Sequence, residues 1–550
     1  MTTNQRWRAP AIGLVLALGA WGCGSSLDRS EPADDGNAGA SEALADEGTP
    51  VDGGTLRVAV DSESSGWNPA IDRWATPGAL VGSTILEPLA TLDGDAVAQP
   101  WLAESWEAND SFDVWTIGLR EGVTFHDGAT FDATAAKANL DFIVTAPLSA
   151  VAMRPLFDEV VVVDPTTVEV RLTTPWAAFP SSFMAGQSAL MRSPASMETD
   201  DKGSTEPVGT GPFVFGEWQP DDHLDVTANP DYWREGEPHL DGVEFTVISD
   251  AATRASALEA GDVDLIMTSR PEDAIALEDA YTVLRDWDVE PAALLANVRP
   301  TVGGEPNPMS NLHARLAVAH AIDRDTLAAT VGEGVGVPTS PFAPDTPWGQ
   351  PSEENGYPDF DVDAAKVEVA AYLEETGEDA LRIDIVGPST AGATSTLALV
   401  EEQLAVAGIE AEVTQMESAT LISKVVAASF EVALFSNYTS PDPDQNHYFW
   451  SKDTAGVEGG ININFTGFWN DVTEEALRTG RESEAFDVRH EAYNTLVEEQ
   501  NANAVNLWLF YTPHSLVAAP DVRGLQTVDE APFANFQPKT WWGGIWLADG

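Results

Sequence analysis

Residues 243–267 read VEFTVISDAATRASALEAGDVDLIM, and the pattern within them decides the fold class. Residues 243–248 form an apolar, β-branched run that predicts a strand. Asp250 stands where a helix N-cap is needed, and Ala251–Ala260 is a helix-forming stretch that stops at Gly261. Residues 263–267 then predict a second strand. This is one compact strand–helix–strand unit, the building block of an α/β fold.

The unit has company along the chain. Residues 55–60 (TLRVAV) predict an earlier strand. A second strand–helix–strand set follows as strand 381–386, helix 394–407, a stop at Gly408 and strand 409–413. Helix 419–428 and strand 431–435 come next. Between the two sets, Asn311 precedes a helix with Leu312, Leu316, Ala319 and Ile322 on one face. Two such regions far apart in the chain predict two α/β lobes, and no short-period repeat suggests a solenoid.

Composition supports large folded lobes and excludes several functions. The chain has 550 residues, room for three or four domain-sized units at roughly 150 residues each. With 27 basic and 89 acidic residues the formal charge is −62, which excludes a nucleic-acid binder that neutralises phosphates. Hydrophobic residues make up 43% and aromatics 9%, so the acidity belongs to a solvated surface rather than a core-poor chain. At low salt that field mildly favours cationic partners, screened over about 10 Å at 0.1 M.

The N-terminus reads as an export segment. Arg6 and Arg8 precede a short apolar stretch at 11–22. It ends Ala20-Trp21-Gly22-Cys23, which resembles a bacterial lipobox, with Cys23 as the lipidated residue. Cys23 is the sole cysteine, so no intramolecular disulfide is possible. Residues 24–54 are rich in Ser, Gly, Ala, Asp and Glu and predict a flexible acidic tether. The expected location is therefore the outer face of the cytoplasmic membrane, lipid-anchored, or a periplasm.

Several stretches together resemble the family 5 solute-binding proteins, the peptide, nickel and opine receptors of ABC importers. WLAESW (101–106) and WTIGLREGVTFHDG (115–128) come first. VGTGPF (208–213), NPDYWR (229–234) and RASALEAGDVDL (254–265) follow, then ARLAVAHAIDR (314–324) and PDPD (441–444). The resemblance implies a two-lobed periplasmic-binding-protein-like fold of class C type, with an extra subdomain in lobe one. It divides the chain into signal peptide 1–22, lipidated acidic tether 23–54, lobe one 55–300 with its subdomain at about 95–207, lobe two 301–518, and a return to lobe one at 519–550. It implies a monomeric receptor without cofactor, which encloses a small solute, an oligopeptide by expectation, and delivers it to a membrane permease. Ligand contacts implied by the resemblance are Ser65-Gly66-Trp67-Asn68, Ser436-Asn437-Tyr438-Thr439, Asp442, Asn297 and Tyr511. Peptide-binding members often carry an Asp where this chain has Thr439, and a neutral hydroxyl cannot give a buried ammonium its charge-assisted bond.

Other readings compete for the same residues. The chain has 18 Trp against 8 Tyr, and Trp67 and Trp348 are candidate platforms for an oligosaccharide. Trp541, Trp542 and Trp546 are expected to pack on lobe one. Nickel is disfavoured, since the eight His are scattered and no metal set is recognisable. Asp359, Asp361 and Asp363 imitate the start of a calcium loop, but Ala364 and Ala370 stand where Gly and Glu are required, so they read as helix-start residues. The glycines of 208–213 and Gly332-x-Gly334-x-Gly336 do not complete a dinucleotide fingerprint. A secreted hydrolase is the alternative of another class, yet Gly387-Pro-Ser-Thr-Ala391 fails as a nucleophile elbow and no catalytic residue is assigned.

Overall fold

The computed structural model describes residues 47–525 and 540–548, apart from 73, 75, 94, 147–148, 289, 345, 351–354 and 437–440. The export segment and Cys23 lie outside the described residues. So do Asn437, Tyr438 and Thr439.

Two sheets organise the chain. The first has seven strands in the order Thr282–Asp286, His514–Ala518, Leu265–Thr268, Thr55–Val60, Gly242–Val247, His223–Ala228 and Phe213–Gln219. Thr55–Val60 pairs in parallel with both Gly242–Val247 and Leu265–Thr268, as the strand–helix–strand reading requires. Between the last two runs Ala251–Ala260, with Asp250 accepting from the Thr253 N–H. Gly261 ends it at φ 74°, a left-handed conformation that a Cβ would strain.

The second sheet has five strands: Ile409–Met416, Leu381–Pro388, Val432–Ser436, Pro291–Ala296 and Asn506–Tyr511. Its centre is also parallel, with Leu381–Pro388 beside both Ile409–Met416 and Val432–Ser436. The helix expected from 394 begins earlier, at Ala391, because Thr390 caps it by accepting from the Ala393 N–H. Asp361 likewise caps Val362–Thr376, accepting from the N–H groups of Asp363 and Ala364. The acidic triplet at 359–363 thus includes a helix cap.

A third sheet of four strands, Ala103–Ala108, Val114–Leu119, Thr167–Leu172 and Phe157–Asp164, belongs to the first lobe. Its buried Ile117, Val168 and Val170 share one continuous core with Leu56, Val58 and Phe245 of the seven-stranded sheet. The C-terminal tryptophans join that core. Trp542 donates its indole N–H to the Leu80 carbonyl at 2.9 Å, and the Trp541 ring meets Trp101 edge-on at 5.3 Å. The five-stranded sheet has separate cores, one around Leu294, Ile385 and Leu434 and another around Ala293, Leu295 and Trp508. Separate cores are what allow two bodies to move as units.

Three expectations need correction. Pro291–Ala296 pairs within the five-stranded sheet, so lobe two begins before residue 301. His514–Ala518 pairs within the seven-stranded sheet, so lobe two ends before residue 518. Both strands are buried along their whole length, Pro291–Ala296 being apolar throughout and His514–Ala518 apolar after His514 and Ser515, and nothing in such a run says which sheet it joins. The end of the tether is also not free. The Glu47 carboxylate accepts from the Gly524 N–H at 2.5 Å, and the Gly53 N–H donates to the His239 carbonyl at 2.8 Å.

Candidate functional site

The strand registers place the site. Thr282–Asp286 runs antiparallel to His514–Ala518, which runs antiparallel to Leu265–Thr268, so its end at Asp286 lies on the same edge as Val60. From there the chain crosses to Pro291 in the other sheet, where Ala292 faces Ser436 at the end of Val432–Ser436. The return crossing runs from Tyr511, opposite Pro291, to His514, opposite Asp286. The carboxyl ends of the parallel strands in both sheets are therefore joined through two short crossings. That is the position at which open α/β sheets bind ligands.

The crossings are tied together by side chains. The Glu290 carboxylate lies 2.8 Å from His514 Nε2 and accepts from Thr76 Oγ1 at 3.3 Å, while its backbone carbonyl takes the Thr512 N–H at 2.7 Å. Burial opposes a charge on His514. The adjoining Glu290 carboxylate outweighs it, by charge and by hydrogen bond, and holds the imidazole above its ordinary range. Ser436 Oγ and Thr512 Oγ1 approach to 3.5 Å across the same junction.

The expected contact residues divide into three groups. Tyr511 sits at the return crossing, with its N–H donating to the Gly336 carbonyl at 3.0 Å. Asn437, Tyr438 and Thr439 follow directly after Val432–Ser436 in sequence but lie outside the described residues. Trp67, Asn68, Asn297 and Asp442 are buried and already bonded or packed within their own lobe or at its margin. Trp67 is 1% exposed, wedged edge-on against Trp218 at 5.5 Å and Trp74 at 6.4 Å. Asn68 donates to the Lys202 carbonyl at 2.7 Å and accepts from the Ala70 N–H and from Arg192. Asn297 donates to the carbonyls of Ala428 and Phe430 and accepts from Arg299 at 3.0 Å, which locks the loop after Pro291–Ala296. Trp348 packs against Phe486, Tyr493 and the Arg489 guanidinium. The flat faces that suggested sugar platforms are thus covered by protein, because large apolar rings gain most when drawn into a core.

Residues from three of the seven motif stretches converge on one buried carboxylate. Glu87 has no exposure and receives Trp101 Nε1 at 2.9 Å, Thr210 Oγ1 at 2.7 Å, the Tyr232 hydroxyl at 2.7 Å and Trp233 Nε1 at 3.1 Å. Burial pushes its carboxyl up to about 7, despite four donors that pull the other way. The glycines of 208–213 serve the same centre. A Cβ on Gly209 would collide with the Ile85 carbonyl, and one on Gly211 would come within 2.7 Å of it. Only glycine lets that turn lie flat on the chain that presents Glu87. These motifs build lobe one and do not cradle a phosphate.

The PDPD loop forms a second buried centre. Asp442 Oδ1 accepts from Arg489 Nη2 at 2.6 Å, and Asp444 Oδ1 from Arg481 Nε at 2.9 Å. Burial alone would raise the Asp444 carboxyl, but Arg481, then His447 and Arg489, hold it well below the usual range. Asp442 therefore serves a charge network rather than standing free for a solute. Arg481, Arg489, Glu290, His514 and Glu87 escaped the sequence reading. Only Glu87 left a trace, as the lone charge inside the apolar run Ile85-Leu86-Glu87-Pro88-Leu89. Among the described residues no cluster of three His, Cys, Asp or Glu could hold a metal ion, and no helix is long and apolar enough to cross a membrane.

Residues 97–458 match the model of the bacterial extracellular solute-binding proteins, family 5, middle region. The glutathione-binding protein GsiB of Shigella dysenteriae is 29% identical over 374 residues, covering 67% of this chain and 70% of that protein. Among solved structures, the periplasmic binding protein DppA from Helicobacter pylori, in complex with the peptide STSA, superposes with a TM-score of 0.76 at 22% identity, over 90% of this chain and 99% of that one. AgaA from A. tumefaciens R10, in complex with agropinic acid, gives 0.76 at 23% identity with the same coverage. The shared fold has two lobes, as the separate sheets and cores require. The chain belongs to the bacterial extracellular solute-binding proteins, family 5, the extracytoplasmic receptors that serve ABC importers.

Proposed function

We propose that this receptor captures short peptides or peptide-like solutes between its lobes and hands them to its permease in the closed state. The observation that carries the reading is the double crossing, which joins the carboxyl ends of both parallel sheets through Glu290, Thr512 and His514. A solute lying there touches both lobes only when they are closed, and so shifts the population towards closure. Peptides are favoured because GsiB is a glutathione-binding protein and DppA was solved with a tetrapeptide. The burial of Trp67 and Trp348 withdraws the reason for preferring sugars.

In this reading Tyr511 and the segment Asn437-Tyr438-Thr439 supply contacts from the crossing and lobe two. Thr439 offers a hydroxyl where an ammonium would want a carboxylate, which directs the search to solutes whose amine is blocked or bound elsewhere. In the same reading Cys23 carries a lipid that holds the monomeric receptor at the outer face of the cytoplasmic membrane, and no bond of the solute is made or broken. A panel of di- to nonapeptides, glutathione and oligosaccharides, read by thermal shift, tests this. A peptide-class ligand should raise the melting temperature in proportion to the logarithm of its concentration. A rise with sugars alone would overturn it.

A further inference from the structure

The PDPD centre belongs to lobe two, yet the lobe-one subdomain completes it. Trp176 donates its indole N–H to Asp444 Oδ2 at 2.5 Å, and the Ser181 hydroxyl donates to Asp442 Oδ2. Gln445 Nε2 donates back to the Ser181 carbonyl at 2.9 Å, and the Ala178 N–H donates to the Arg481 carbonyl at 3.2 Å. The Arg481 guanidinium lies 4.4 Å from the centre of the Trp176 ring. Asp442, Asp444, Arg481 and Trp176 are all buried, so the contact is dry.

Each side is built before the two meet. On lobe one, the π-helical turn Phe179–Met184 is braced by Phe179 stacked on Phe183 at 4.9 Å and on Trp115 at 5.8 Å. On lobe two, each aspartate is oriented by its own arginine, and Asp442 also accepts from the Asp444 N–H at 2.9 Å. Each carboxylate then keeps one oxygen for the opposite lobe. Rigid partners with matched donors and acceptors dock with little ordering cost.

We propose that Trp176 and Ser181 and the aspartates of the PDPD loop form a latch that closes the two lobes on each other and acts through protein contacts alone. The proposal rests on the lobe-closure reading above. The latch sets how much of the solute-free receptor is closed, and how slowly a captured solute leaves.

The test is single-molecule energy transfer on the full chain carrying Cys23→Ser, with dyes at Val163→Cys and Val367→Cys. Both positions are exposed, one on each lobe. The solute is removed by unfolding and refolding. The parent should show a high- and a low-transfer population. Trp176→Phe keeps an aromatic ring, though a smaller one, and removes the N–H, and Ser181→Ala removes the hydroxyl. Each should lower the closed-to-open ratio roughly tenfold, the usual effect of losing a hydrogen bond to a charged acceptor. Ser181→Thr should restore it. Two populations with an unchanged ratio in both folded variants would overturn the latch and leave closure standing. A single population in every chain would overturn both. Should Trp176→Phe fail to melt cooperatively, Ser181→Ala and its threonine rescue decide.

Discussion

Glu87 in lobe one and Asp444 at the lobe boundary are both carboxylates with almost no exposure, and they are solved by opposite chemistry. Glu87 meets four neutral donors and no arginine, so its carboxyl rises to about 7. Asp444 meets Arg481 and stays charged far below the usual range. The first centre stitches together four segments of a single core, Glu87, Trp101, Thr210 and Tyr232-Trp233, and nothing in it has to move. The second joins surfaces from two different cores. A charged pair there keeps its strength when one neutral donor departs, which suits a contact that must break and re-form. The family motifs therefore serve two kinds of buried carboxylate, Asp444 within a motif and Glu87 outside them.

Four changes would break or sharpen this contrast. The largest effect belongs to Asp444→Asn, which leaves Arg481 buried without its anion. Unfolding of lobe two in urea should be easier by about 3–5 kcal/mol. An unchanged midpoint would mean that Arg481 finds water. Next is the pH response of lobe one. Glu87 titrates near 4.5 when unfolded and about 7 when folded. Between those values the folded state holds the proton that the unfolded chain has lost, so stability falls as pH rises through the window, by about 3 kcal/mol in all. Glu87→Gln should flatten that part of the curve, read by denaturant unfolding at a series of pH values.

Tyr232→Phe removes one donor from Glu87 and should cost about 1–3 kcal/mol at neutral pH, with a smaller loss near pH 4 where the carboxyl is neutral. An equal loss at both pH values would show that the hydroxyl matters for packing and not for the charge. Smallest is Thr76→Val at the crossing, worth about 1 kcal/mol or less given its 3.3 Å bond to Glu290. It should alter the open-to-closed ratio more than the melting temperature. The reverse would place Thr76 among ordinary core contacts.

The sequence carried the fold further than the site. Asp250, Gly261 and Gly408 mark helix ends by local chemistry, and local chemistry is readable, although the cap at Thr390 starts its helix three residues before the expected position. Pro291–Ala296 and His514–Ala518 are both buried end to end and fit either sheet, and register is a tertiary property that their sequences do not carry. The site suffered from the same limit. Trp67 and Asn68 follow the first strand as contact residues should, but their side chains turn inwards to Trp218 and Arg192. Arg481 and Arg489 lie on helices far along the chain from Asp442 and Asp444, and no spacing rule links them. His514 looked like one of eight scattered histidines until the crossing set it against Glu290.

The central claim is that this receptor encloses a peptide-class solute, and native mass spectrometry of the protein purified from its host tests it most directly. Spectra before and after denaturation give the mass of whatever was retained. The account predicts released masses that differ from one another by amino-acid residues, or a single modified peptide. Increments of a hexose, with no peptide mass among them, would contradict it.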